Sequence, residues 1–225
     1  MAKAMNGQKA VTPSAEGIAA SVRAAKTKGL PPVHLWNPPF CGNLDIRIAR
    51  DGTWFYLGTP IGRPELVRLF SSILKKEDGE YFLVTPVEKV GIRVDDAPFV
   101  AVDFEPVETE AGKVLRFETQ VGDFADAGRD HQIRVIRDAK TGEPSPYVHI
   151  RADLEALIDR KSFYRLVDLG AHHDGWFGVW SGGHFFGIIP SAELDGSEWY
   201  FWDFVPVMRK RWNMSSNTRV ARSRF

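Results

Sequence analysis

Arg47, Arg63, Lys89 and Arg93 carry positive charge, Trp36 and Trp180 present broad aromatic faces, and Asn37 offers an amide. Guanidinium and ammonium groups hold phosphate, and an indole stacks on a planar ring, so together they suit a pocket for a nucleotide-like small molecule. Trp36, Asn37, Arg47, Arg63, Lys89 and Trp180 are therefore the expected ligand-binding residues. They are scattered along the chain, and the fold must gather them. Asp95-Asp96 and Asp123 have the chemistry to bind a cation beside such a ligand, but aspartate in such places more often builds turns.

Other chemistry-bearing residues read as structural. His172-His173-Asp174 with His184 supplies imidazole and carboxylate, the ligands of zinc or iron. The adjacent histidines run into Asp174-Gly175, however, which marks a solvated turn. Ser181 in Val179-Trp180-Ser181-Gly182-Gly183 lacks the flanking glycine and following helix of a nucleophile elbow, so a glycine-permitted turn is expected. Cys41, the single cysteine, reads as a buried small hydrophobe. Its alternative is a reactive thiol activated by Arg47 or His34. Neither G-x-G-x-x-G nor G-x-x-x-x-G-K-[ST] occurs, which sets aside Rossmann and P-loop chemistry. No catalytic set, metal site or cofactor is expected.

The elements that must position these residues are mostly strands. Leu44, Ile46 and Ile48 alternate with polar residues before Asp51-Gly52, and Thr53 to Leu57 returns, which makes a hairpin. Pro64 and Glu65 open a helix over residues 63–76, with Leu66, Val67, Phe70, Ile73 and Leu74 on one face. Residues 81–84 and 89–94 pair across the Thr85-Pro86 corner. Period-two patterns at 99–104, 114–119 and 133–136 then predict an antiparallel meander. After a strand at 147–150, Asp153 is expected to cap a helix carrying Leu154, Leu157 and Ile158, broken near Lys161-Ser162, before a strand at 176–180.

Composition bounds the class. Lys plus Arg and Asp plus Glu each number 29, so no overall field favours nucleic acid or an acidic membrane. A lone cysteine, no apolar run long enough to span a bilayer and no signal-peptide core point to the cytoplasm. Residues 1–33 read as a loose basic arm, with a frayed helix near 15–25. Residues 34–97 and 98–189 form two halves, and 190–225 form an aromatic and basic extension.

Residues 54–57, a helix and 79–84 match 147–150, a helix and 175–180 in order, which predicts a duplication. The run Trp36-Asn37-Pro38-Pro39-Phe40-Cys41-Gly42, with Asp45, Arg47, Asp51-Gly52, Trp54 and Gly58-Thr59-Pro60-Ile61, resembles the opening of a bacterial family of uncharacterised proteins, domain of unknown function twelve-eighty-five. Leu83 to Lys89, Asp95 to Phe99 and Gly178 to Gly183 continue the likeness, which covers about 35–186. That resemblance implies two related halves, the second a partial barrel like a pleckstrin-homology domain, with a nucleotide-like ligand between them and a role in signalling. The chain departs from the pattern after about Gly187, where Trp199 to Trp202 and a basic run follow. This extension reads as an interaction segment, an interfacial membrane contact or a read-through without function. The expected protein is thus an α+β chain of two small antiparallel-sheet-rich halves. Its expected role is that of a small-molecule binding module with a regulatory function; the alternatives are an enzyme of unrecognised type or a protein-interaction scaffold.

Overall fold

The computed structural model describes residues 13–24, 29–110 and 112–195. Most of the C-terminal extension, including Trp199 to Trp202, and the first stretch of the N-terminal arm lie outside them. Two compact units divide the chain, Met1–Asp96 and Ala97–Phe225. No described helix is long and apolar enough to cross a membrane.

The first unit begins with helix α1 (Ala15–Ala24), on which Ile18 is fully buried, with Ala15, Ala19 and Val22 on the same face. A 3-10 turn at Val33–Leu35 leads into β1 (Phe40–Ile48). Then come β2 (Trp54–Tyr56), β3 (Thr59–Pro60), α2 (Pro64–Ser72), β4 (Leu74–Glu77), β5 (Glu80–Val84) and β6 (Lys89–Val94). The predicted hairpin is β1 with β2, Ile48 opposite Trp54, and Asp51 Oδ1 accepts from Thr53 N at 2.9 Å to fix its turn. Leu44, Ile46 and Ile48 point inward along β1, while Asn43, Asp45 and Arg47 point out. Trp54 stacks on Phe70 at 6.3 Å, which seats α2 on the inner face of the sheet. Helix α2 stops short of the expected residue 76 because Asp78 and Gly79 both take positive φ, the geometry of a two-residue hairpin turn. That turn pairs Leu74 with Leu83 and Glu77 with Glu80, so Lys75 and Lys76 become strand.

The second unit contains β7 (Phe99–Thr109), β8 (Gly112–Thr119), β9 (Phe124–Asp126), β10 (Ile133–Arg137), β11 (Pro144–Arg151) and β12 (Leu154–Ile158). These strands form a curled half-barrel. They are followed by α3 (Arg160–Asp168), a three-stranded sheet of β13 (Ala171–His173), β14 (Trp176–Ser181) and β15 (His184–Pro190), and α4 (Ser191–Asp195). The meander was expected. The helix at Asp153 was not found: residues 154–158 are strand, with Leu154, Ala156 and Ile158 inward, and Asp153 lies in the turn that precedes it. Asp159 caps α3 instead, its Oδ1 accepting from Ser162 N at 2.7 Å. Ser162 is buried inside the first turn and donates to Val102 O at 3.2 Å.

The sheet of the first unit runs β3-β2-β1-β6-β5-β4, and that of the second, read from the other edge, runs β9-β8-β7-β12-β11-β10. Adding six to each strand of the first sheet gives the second. In both, one parallel pair, β1 with β6 or β7 with β12, joins two antiparallel meanders at the centre. The chain is therefore α+β with two related sheet-rich units, each containing a strand-helix-strand passage, β3-α2-β4 and β12-α3-β13. The deeper repeat lies in strand order, and the helices fall at different places within it.

Candidate functional site

The outward face of the first sheet carries two clusters of charged side chains. Because β1 and β6 are parallel, with Asn43 opposite Gly91 and Arg47 opposite Arg93, guanidinium groups from distant parts of the sequence become neighbours. Both clamp Asp95: Arg47 Nε lies 3.0 Å from Oδ2 and Arg93 Nε 3.1 Å from Oδ1. The Arg47 guanidinium also sits 5.0 Å from the Phe55 ring centre.

A second cluster of the same composition stands on β4 and β6. Glu77 accepts from Lys75 Nζ at 2.7 Å and from Lys89 Nζ at 2.8 Å, and these bonds, Lys75's first, hold its carboxyl below the usual range. Lys89 also lies over the Phe82 ring at 4.9 Å. Each cluster sets two cations against one carboxylate, so each retains positive charge.

Gly91 lies between them. A Cβ there would fall 2.2 Å from Asn43 Oδ1, so the glycine makes room for the amide to lie across β6. Around it is a concavity of about 660 Å³ lined by residues of β1, β5 and β6, among them Asn43, Asp45, Arg47, Glu80, Phe82 and Arg93. Asp45 and Glu80 bring negative charge to the same hollow. The site can therefore hold an anionic group at its arginines and accept hydrogen bonds from ligand hydroxyl or amino groups at its carboxylates.

Of the expected ligand residues, Arg47 and Lys89 share this face. Trp36 is half-buried and Asn37 exposed in the segment that precedes β1. Arg63 is the N-cap position of α2 and lines a separate hollow of about 210 Å³ with Tyr56, Ile61 and Leu66. Trp180 belongs to the second unit, where it packs edge-on to His173 at 4.8 Å and tilted against Phe185 at 5.3 Å. Asn43, Phe82 and Gly91 escaped the sequence reading, since only the parallel register of β1 and β6 gathers them with Arg47.

Asp95, Asp96 and Asp123 are engaged by arginines, Asp96 by Arg50 at 3.3 Å and Asp123 by Arg151. Cys41, expected to be buried, is exposed: it precedes the inward-pointing stretch of β1, and its Sγ donates to Pro39 O at 3.4 Å. His172 and His173 lie on strand β13 rather than in the turn, which is formed by Asp174 and Gly175, and His172 Nδ1 meets Ser191 Oγ at 2.7 Å. Ser181 is buried, accepting from Leu115 N at 2.7 Å and donating to Ala127 O at 2.6 Å, and Gly182-Gly183 form the β14-β15 turn.

Comparison with known proteins gives two family matches. Residues 31–97 match the model described as "Domain of unknown function (DUF1285), N-terminal domain", and residues 98–188 match "Protein of unknown function (DUF1285), C-terminal domain". Among solved structures, a DUF1285 family protein from Silicibacter pomeroyi DSS-3 is 66% identical, with 80% of this chain and 98% of that one aligned at a TM-score of 0.73. Another, from Shewanella baltica OS155, is 32% identical over 56% of this chain and 91% of that one, at a TM-score of 0.45. No curated protein matches.

Proposed function

Because the chain belongs to the DUF1285 family, whose description assigns no activity, we propose from its own surfaces that it binds a small nucleotide-like anion and acts as a regulatory module. The ligand's seat is the outward face of the first sheet. The observation that carries this reading is the Arg47-Asp95-Arg93 cluster on the wall of the 660 Å³ hollow. Asp95 holds both guanidinium groups in place, so an incoming phosphate meets cations that have already lost much of their freedom. Asn43, Asp45 and Glu80 supply the acceptors that ribose hydroxyls and exocyclic amines need, and Phe82 supplies an aromatic ring. The paired ions and the amide are groups that hold and recognise, which is why we assign the site a regulatory ligand.

A thermal-shift screen of the full chain against nucleoside mono-, di- and triphosphates and inorganic phosphate tests the reading. A nucleotide present at a hundred times its Kd stabilises the bound protein by about 2.7 kcal/mol. The expected result is a shift with a nucleotide that exceeds the shift with phosphate and is lost in the Arg47→Ala, Arg93→Ala double variant. A panel that produces no shift, or a shift that survives the double substitution, refutes it.

A further inference from the structure

Two histidines of the second unit meet head to head at a place the proposed anion site does not use. His131 lies in the loop between β9 and β10, and His149 lies on β11. The backbone joins them, since His149 N donates to Gln132 O at 3.0 Å. Their Nδ1 atoms are 3.3 Å apart and their ring centres 5.3 Å apart.

We propose that His131 and His149 together bind a divalent transition-metal ion of the zinc, cobalt and nickel class through their Nδ1 atoms. With metal–nitrogen bonds of about 2.05 Å, two imidazoles on a tetrahedral ion have nitrogens about 3.3 Å apart and ring centres about 5.2 Å apart. Rings sharing a proton in a straight line would hold their centres farther apart, at about 5.6 Å for the same nitrogen separation. The observed 3.3 and 5.3 Å agree with the spacing of two ligands of one ion.

The tautomer is prepared as well. His149 Nε2 is hydrogen-bonded to the carbonyl of Ala152, so Nε2 carries the proton and Nδ1 keeps its lone pair, the outer-shell arrangement common to metal-bound histidines. Ala152 takes φ 45°, a left-handed conformation unusual for alanine, and the pairing of β11 with β12 is irregular between His149 and Arg151. Both distortions lie where they set the position of that carbonyl. Without metal, the Nδ1–H of His131 has His149 O at 3.1 Å and His149 Nδ1 at 3.3 Å as acceptors. Metal binding at Nδ1 requires the other tautomer of His131, its proton passing by exchange with solvent from Nδ1 to Nε2, so both ligands stay neutral and no proton is lost on balance.

Among the described residues no third His, Cys, Asp or Glu side chain converges on the pair. Asp126, one of the two carboxylates that line the hollow with His131, is held by Arg116 through both oxygens at 2.6 and 2.8 Å. The remaining positions therefore fall to water. They adjoin a hollow of about 510 Å³ lined by His131, Glu105, Arg116 and Asp126, so the ion would keep exchangeable sites.

Cobalt(II) titrated into chelator-stripped full-length protein, followed by visible absorption and repeated with zinc(II) in competition, tests the site. One equivalent is expected to bind with the intense bands of a low-coordinate ion, and His131→Gln and His149→Gln each weaken it at least about tenfold. His172→Gln and His184→Gln are expected to leave it unchanged. No binding by the unaltered protein, or a loss in only one or neither of the two variants, overturns the proposal. Should a variant fail to fold, nitrogen-15 histidine spectra of the unaltered protein decide: zinc must move the Nδ1 signals of His131 and His149, and movement confined to other histidines overturns it equally.

Discussion

Taking away the hydroxyl of Ser181 would strand two main-chain groups at once. The Leu115 amide and the Ala127 carbonyl both end on this one buried oxygen, which latches the β14-β15 hairpin to the strands around β8. Ser181→Ala is therefore expected to cost about 1–3 kcal/mol, read as a lower urea midpoint with unchanged slope. A loss near zero would mean that water replaces the hydroxyl. Acid sensitivity is argued at the same scale. Asp126 is held below the ordinary carboxylate range by hydrogen bonds from Arg116, Asp103 chiefly by Arg165, and Glu77 by Lys75 and then Lys89. Folded values below the unfolded ones mean that this stabilisation is complete above about pH 5 and is lost as pH falls through the folded values. Melting temperature is thus expected to drop as pH falls below about 5, and less steeply for Asp126→Asn than for the unaltered chain. Parallel curves for the two proteins would show that the Arg116 pair is not linked to protons.

At the scale of the element, α3 depends on its first turn. Asp159→Ala removes the cap to Ser162 N and is expected to cost about 1 kcal/mol, with Asp159→Asn recovering most of it in the same denaturation experiment. Asp153→Ala, at the position expected from sequence to be the cap, should cost far less, because that residue sits in a turn. The misplacement has a physical origin. Leu154, Leu157 and Ile158 fit a helical spacing, while Leu154, Ala156 and Ile158 fit a strand. Ala156 is too small to tip the balance by apolarity alone. Turn chemistry was more legible: Asp51-Gly52 located the β1-β2 hairpin correctly, although residues 74–76, which begin strand β4, were read as the end of a helix. The candidate site was legible only in part. Arg47 and Lys89 were picked by charge, but their companions depend on parallel pairing of β1 with β6, which leaves no local mark on either strand. His131 and His149 likewise come together through the β10-β11 register, and no motif joins them in sequence.

For the whole molecule, the repeated strand order makes a claim about where stability is concentrated. In each sheet the central parallel pair is flanked on both sides, whereas β3, β4, β9 and β10 lie at the edges of the six-stranded sheets. Hydrogen exchange is expected to be slowest for the inward-pointing stretches of β1, β6, β7 and β12 and fastest for β3 and β9. Edge strands protected as strongly as the centre would contradict it. The same order has a bearing on synthesis. The strand that completes each sheet is the last of its six to leave the ribosome, and its place is beside the first. Until Lys89–Val94 has emerged, the meander begun at Phe40–Ile48 keeps an unpaired edge open to neighbouring chains, and the second unit repeats the wait until Leu154–Ile158 arrives. Conditions that stall translation between β1 and β6 therefore lengthen the interval in which the nascent protein is open to aggregation.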